Sequence, residues 1–137
     1  GMVRTILNTV DIGSFCFEIV FIPGHTPGSI ALLERNHRFI LTGDTVGNVP
    51  IYMFGNGRNL PAYLASIKKL KEISDSFDQI WPAHGKRALP SSILKDLCVL
   101  AGEITTGKWP QPQPAPAHMP EDVKVYGNGK VSFYLKK

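Results

Sequence analysis

The chain has 137 residues, 43% of them hydrophobic and 19% charged, with a formal net charge of +4. That length and balance describe one folded domain with a single core and exclude a disordered polypeptide. No apolar run approaches the roughly 18 residues of a membrane span, no secretory leader opens the first ten residues, and no arginine-rich stripe with interleaved aromatics is present, so neither a membrane nor nucleic acid is expected as a partner.

In chain order, residues 5–11 and 14–22 read as a hairpin around Gly13. Phe15, Phe17, Ile19 and Phe21 fall on one face of its second strand, the period of two of a half-buried strand. Cys16 lies between those phenylalanines, and Cys98 lies in an amphipathic helix further on. Both read as buried thiols with no disulfide framework, and a cytoplasmic location is expected. Residues 29–35 and 38–42 read as a second hairpin turning at Asn36-His37. The apolar run Phe39-Ile40-Leu41 suggests a central strand covered on both faces.

Residues 45–59 are irregular and rich in Gly and Asn, with Ile51, Tyr52, Met53 and Phe54 placed either to line a pocket or to plug the core edge. Leu60, Leu64, Ile67, Leu70 and Ile73 recur at helical spacing and predict a helix over 60–74. The Lys68-Lys69-Leu70-Lys71 run on it reads as a solvated face. A short strand at Gln79-Ile80-Trp81 leads into Pro82-Ala83-His84-Gly85. Ile93, Leu97, Leu100 and Ile104 predict a second helix over 91–106, stopped by Gly107. The proline-rich stretch 109–120 reads as an extended strap. Strands at 122–126 and 130–135 close the chain around Asn128-Gly129, a strong hairpin signal.

Of the four histidines, His37 and His118 read as surface residues. His25 and His84 each follow a strand-like apolar run and sit among Gly, Ala, Thr or Pro, and Asp44 follows Thr42-Gly43 in the same manner. Glycine lets backbone pass close to a site and proline stiffens the turn. Imidazoles and a carboxylate held this way suit a metal.

Three ordered segments now resemble motifs of the metallo-β-lactamase superfamily. Pro23-Gly24-His25-Thr26-Pro27-Gly28-Ser29 is similar to its third histidine motif, Leu41-Thr42-Gly43-Asp44 to its bridging-aspartate motif, and Pro82-Ala83-His84-Gly85 to its last histidine motif. The Pro-Ala-His-Gly region is most similar to small thioesterase-like members related to hydroxyacylglutathione hydrolases. The resemblance implies an α/β (α+β) fold in which a mixed β-sheet with two main helices forms half of a four-layer αββα sandwich. It also implies a metal-dependent hydrolase acting on an ester, thioester, lactone, amide or phosphodiester. In complete members two zinc ions activate a water. By the resemblance, His25 would ligate the first metal, His84 the second, and Asp44 would bridge them.

The family's His-x-His-x-Asp-His segment is not found in these residues. Residues 2–137 would then be the C-terminal part of the domain, and three readings stay open: a truncated hydrolase, a shortened and catalytically impaired domain, or a homodimer that covers the exposed sheet face. The expected metal load is zero or one ion, zinc first, with iron or manganese as alternatives, held by His25, Asp44 and His84 as a two-histidine, one-carboxylate face. Tyr52, Lys86 and Arg87 are candidates for binding a small-molecule substrate, Lys86 and Arg87 through an anionic group. The competing reading is a non-catalytic, self-associating module with a vestigial site.

Overall fold

The structure is a computed structural model that describes residues 9–137. Among the described residues, nine strands, two helices and one short 3₁₀ turn follow in the order β1 (Thr9–Ile12), β2 (Phe15–Phe21), β3 (Ile30–Glu34), β4 (Phe39–Gly43), β5 (Ile51–Tyr52), α1 (Leu60–Glu72), the turn Ser74–Ser76, β6 (Gln79–Pro82), α2 (Ser92–Thr105), β7 (Gln113–Pro114), β8 (Val123–Gly127) and β9 (Ser132–Lys136). Residues 5–8 of the expected first strand lie outside the described residues.

Two mixed sheets result. The larger runs β1-β2-β3-β4-β6 and the smaller β5-β9-β8-β7. Local hairpins make β1 to β4 antiparallel. The α1 crossover returns the chain so that β6 pairs parallel to β4, as a strand–helix–strand connection requires. β5 pairs parallel to β9, far away in sequence, so the segment 45–59 contributes a strand to the second sheet. The proline-rich strap contributes β7, antiparallel to β8.

One core joins these elements. On the larger sheet, Ala31, Leu33, Ile40 and Ile80 point to one side and are fully buried, with Ile22, among Tyr63, Ile67 and Leu70 of α1 and Leu94, Leu97 and Leu100 of α2. Ile51, Met53, Tyr126, Phe133 and Leu135 extend the same core under the smaller sheet. The Asn59 side chain accepts the Ala62 N–H and caps α1, and Pro61 sits in the first turn where no N–H is missed. Gly107, at φ +89°, follows the end of α2.

Two expectations are corrected. Cys16 is exposed rather than a buried thiol, while Cys98 is half-buried. Cys16 shares its side of β2 with Val20 and Ile22 but sits at the strand's outer end, where neither helix reaches. Nearby Asp11, which accepts a hydrogen bond from the thiol, pushes its pKa up. The Phe39-Ile40-Leu41 strand is central, but only Ile40 is fully covered; Phe39 and Leu41 are half-buried. They share the opposite side of the sheet with the phenylalanines of β2, a side without helices.

Candidate functional site

His25 stands in a turn that the sequence builds residue by residue. Ile22 N–H donates to Ser29 O at 2.9 Å and Gly24 N–H to Thr26 O at 3.1 Å, closing the loop on itself. The Thr26 and Ser29 hydroxyls are 2.6 Å apart. Helix α1 clamps the turn from behind: Ser66 Oγ–H donates to Pro23 O at 2.6 Å and Asn59 N–H to Gly24 O at 2.8 Å. Gly24 has φ +138°, and any Cβ there would run into the backbone of Tyr63, so only glycine allows this approach. The His25 ring is buried at 9% exposure and its Nδ1 lies 2.9 Å from Tyr52 O. A carbonyl can only accept, so Nδ1 carries a proton, which in the neutral ring leaves the lone pair on Nε2.

Asp44 and His84 leave the carboxyl ends of β4 and β6, adjacent parallel strands. Ala83 N–H donates to Gly43 O at 3.0 Å and ties the two strand ends together. Gly43 turns the chain at φ +59° and Thr45 N–H returns to Thr42 O at 3.2 Å. The buried Tyr63 hydroxyl donates to Thr45 O at 2.7 Å, and burial pushes its pKa well up, so it remains a donor. His84 Nε2 then lies 3.2 Å from Asp44 Oδ1, with both side chains largely open to solvent. The crevice beyond the carboxyl ends of parallel strands is where open α/β sheets hold ligands.

All three motif residues line one pocket of about 290 Å³, together with Tyr52, Arg58 and an apolar wall that includes Val46, Val49 and Ile51. Among the described residues, no three His, Cys, Asp or Glu side chains converge closely enough to hold a metal ion. The donor chemistry suits a metal: an imidazole with its tautomer set by a carbonyl, and a second imidazole beside a carboxylate. The geometry brings only the Asp44–His84 pair into direct contact. Tyr52, a candidate from the sequence, lines the pocket and stacks on Phe54 with ring centroids 5.7 Å apart. Lys86 and Arg87 are exposed and are not among the lining residues. Arg58 is in the lining and was not singled out by the sequence reading. The Gly55-Asn56-Gly57 turn just ahead of the α1 cap was the available signal.

Comparison with known proteins adds lineage. The sequence model of the metallo-beta-lactamase superfamily matches residues 3–77. An acyl-coenzyme A thioesterase of Gallus gallus is 27% identical over 79 residues, covering 56% of this chain and 28% of that protein. A probable metallo-hydrolase of Methanocaldococcus jannaschii is 34% identical over 84 residues, covering 56% of this chain and 37% of that protein. The chain therefore matches about a third of the length of these relatives. Among solved structures, a metallo-beta-lactamase from Pontibacter korlensis superposes with TM-score 0.59 at 19% identity over 69% of this chain and 45% of that one. ETHE1 from Myxococcus xanthus does so with TM-score 0.56 at 23% identity over 69% and 43%.

Proposed function

The chain belongs to the metallo-beta-lactamase superfamily, and from that premise we propose that it forms the His25, Asp44 and His84 side of a metal-dependent hydrolase site. The observation that carries the reading is the delivery of Asp44 and His84, 3.2 Å apart, from adjacent parallel strand ends into the pocket that His25 also lines. Zinc is the favoured ion, with iron or manganese as alternatives; when bound, it supplies the Lewis acidity that activates water near neutral pH. The chain's own residues orient and enclose. Tyr52 O fixes the His25 ring. The Tyr63 hydroxyl holds the loop that carries Asp44. Val46, Val49 and Ile51 give the acyl part of a substrate an apolar wall. A thioester is the favoured substrate, supported by the thioesterase among the relatives; an ester, lactone or amide would present the same carbonyl.

The test is metal content and thermal shift on the purified chain. Zinc in excess should raise the melting temperature, as any ligand selective for the folded state does, and His84→Ala or Asp44→Asn should remove the rise. A chain that carries no zinc, iron or manganese and melts at the same temperature with and without zinc overturns the reading. Hydrolysis of a generic thioester, with and without zinc, then measures what the chain does alone.

A second reading, a self-associating module, is favoured by one observation. The side of the larger sheet away from the helices exposes Ile12 and Phe21 at 59% each. A homodimer would pack these faces together, and solution mass tests it.

A further inference from the structure

We propose that the outward side of the smaller sheet, with the cavity beside the β8–β9 turn, binds the leaving arm of the thioester, and that this arm is an uncharged chain of amides. The assignment rests on reading the His25, Asp44 and His84 pocket as the reaction site. It deepens that reading by naming what the thiol side of the substrate carries.

The strand register lays a track between two cavities. Tyr52 pairs with Tyr134, Tyr134 with Val125 and Val125 with Gln113, one residue from each of β5, β9, β8 and β7. Paired residues share a side of a sheet and neighbours in a strand take opposite sides. The adjacent row, Ile51, Phe133 and Tyr126, is the one buried in the core, so the first row faces outward. Its Tyr52 end lines the reaction pocket. Its Val125 and Gln113 end lines a second cavity of about 480 Å³. Three strand spacings separate the ends, about 14 Å, which is the reach of about four extended peptide units. Between them Tyr52 and Tyr134 meet edge to face at 5.1 Å, an aromatic bed for the stem of a chain. The two cavities also share a wall: Gly47 and Val49 line the reaction pocket, and Asn48 between them lines the second cavity.

The second cavity has the chemistry of an amide's partner. Asn48, Gln111, Gln113 and Ser132 line it, and among the described residues no hydrogen bond engages any of these four side chains. A carboxamide both donates and accepts, and so does a hydroxyl. The set therefore matches the N–H and the C=O of a secondary amide alike. The charges nearby are already matched. Lys130, the charged residue of the lining, lies 3.8 Å from Asp96, and Lys136 at the end of β9 lies 3.5 Å from Asp122. A neutral polar ligand fits this lining better than an ion does.

The cavity is built on fixed parts, as a binding site needs. Asn128 Oδ1 accepts the N–H groups of Lys130 and Val131 at 3.0 and 3.1 Å and holds the turn. A Cβ at Gly127 would stand 2.8 Å from Ser132 Cβ, so only glycine lets the two strands close in here. Met53 N–H donates to Tyr134 O at 3.0 Å and extends the join of β5 to β9. A substrate would lay its acyl part on Val46, Val49 and Ile51, its carbonyl beside Asp44 and His84, and its leaving arm over Tyr52 and Tyr134 to the carboxamides.

The test uses the chelator-treated, metal-free chain, so that nothing binds through a metal. The probe is S-methylpantetheine, a thioether that carries two secondary amides and cannot be hydrolysed at sulfur. The comparison ligands are the methyl thioether of a triethylene glycol thiol, similar in length with ethers in place of amides, and maltose. Side-chain NH₂ and backbone signals are followed by ¹⁵N NMR. S-Methylpantetheine should shift the NH₂ signals of Asn48, Gln111 and Gln113 saturably and the backbone signal of Tyr134 with them; the other two ligands should leave them in place. Asn48→Ala combined with Gln113→Val should weaken binding at least about tenfold, the scale of two lost hydrogen bonds. Asn48→Ala with Gln111→Ala, both outside the strands, serves if the change in β7 disturbs the fold. No saturable shift, equal binding by the parent and the paired variants, an equal response to the glycol thioether or to maltose, or carboxamide shifts without Tyr134 each overturns the assignment. A zinc-dependent thermal shift without a carboxamide response would sink this site and leave the hydrolase reading standing. A carboxamide response without the zinc-dependent shift would sink the hydrolase reading alone.

Discussion

The two sides of the five-stranded sheet are both apolar, and only one is covered. Ile22 at the end of β2, with Ala31, Leu33, Ile40 and Ile80, is fully enclosed by the helices. On the other side Val10, Phe15, Ile30 and Trp81 are 38–40% exposed, and Ile12 and Phe21 reach 59%. A two-sided apolar strand pattern is the one found in sheets buried on both faces. The covered side supplies stability, while the open side leaves large apolar side chains in contact with solvent. The open side also carries one carboxylate, Glu34, fully buried beside the cluster of Phe15, Phe17 and Phe39. Its oxygens accept the N–H groups of Cys16 and His37 at 2.6 and 2.8 Å, and His37 Nδ1 lies 3.1 Å away.

The largest effect belongs to the covered side. Leu33→Ala or Ile40→Ala should each cost about 2–5 kcal/mol of unfolding free energy, the loss of buried volume plus the cavity left behind. Urea denaturation measures it; a cost below about 1 kcal/mol would break the contrast between the two sides.

Next comes the join between the covered core and the site. Tyr63→Phe removes the hydroxyl that donates to Thr45 O from inside the core, where Tyr63 also meets Phe133 edge-on at 5.4 Å. Leaving that carbonyl unmatched should cost about 1–3 kcal/mol. Because the bond anchors the loop behind Asp44, the zinc-dependent thermal shift should shrink as well. An unchanged melting temperature would mean that the core and the site are not coupled through this bond.

A smaller effect, confined to acid, tests the open side's buried charge. The Cys16 N–H first, then the His37 N–H and ring, hold the Glu34 carboxyl below its ordinary pKa. The charged form is therefore favoured by folding, so its contribution is full above the unfolded-state value and is lost as pH falls through the lowered native one. The melting temperature of the parent chain should fall more steeply with acid than that of Glu34→Gln. Parallel acid profiles would mean that Glu34 contributes no pH dependence.

How far the sequence was readable follows the same division. Local features came through: the helix stripes, the Asn128-Gly129 hairpin, and the Gly/Pro turns that carry His25, Asp44 and His84. These depend on residues within a few positions of one another. The period of two in β2 was also legible, but alternation defines two sides without saying which one meets the helices. Nor does alternation say how far along a strand the cover extends: Cys16 lies on the helix side but at the strand's outer end, and is exposed. The parallel pairing of β5 with β9 joins residues far apart in the chain, so nothing local in 45–59 announced a strand. Glu34 owes its burial to contacts that no local pattern announces, since the Cys16 N–H it accepts comes from another strand. Arg58 was missed for a related reason: an arginine before a helix is ordinary until the fold places it in the pocket lining.

The smallest change in stability should accompany the sharpest change in assembly. Ile12→Thr and Phe21→Thr, combined, alter two side chains that the folded chain already leaves 59% exposed. Their replacement should change the unfolding free energy at low concentration by less than about 0.5 kcal/mol, as exposed positions do. Threonine keeps the β-branched preference of a strand while adding a hydroxyl to the face. If two copies cover one another through these faces, the parent chain should show a dimer mass by light scattering, and the double variant should run as a monomer at the same concentration. Aligned sheets meet about 10 Å apart with their side chains interdigitated, so a hydroxyl at both positions would bury polar groups without partners on each copy. A parent chain that stays monomeric at high micromolar concentration would remove the homodimer.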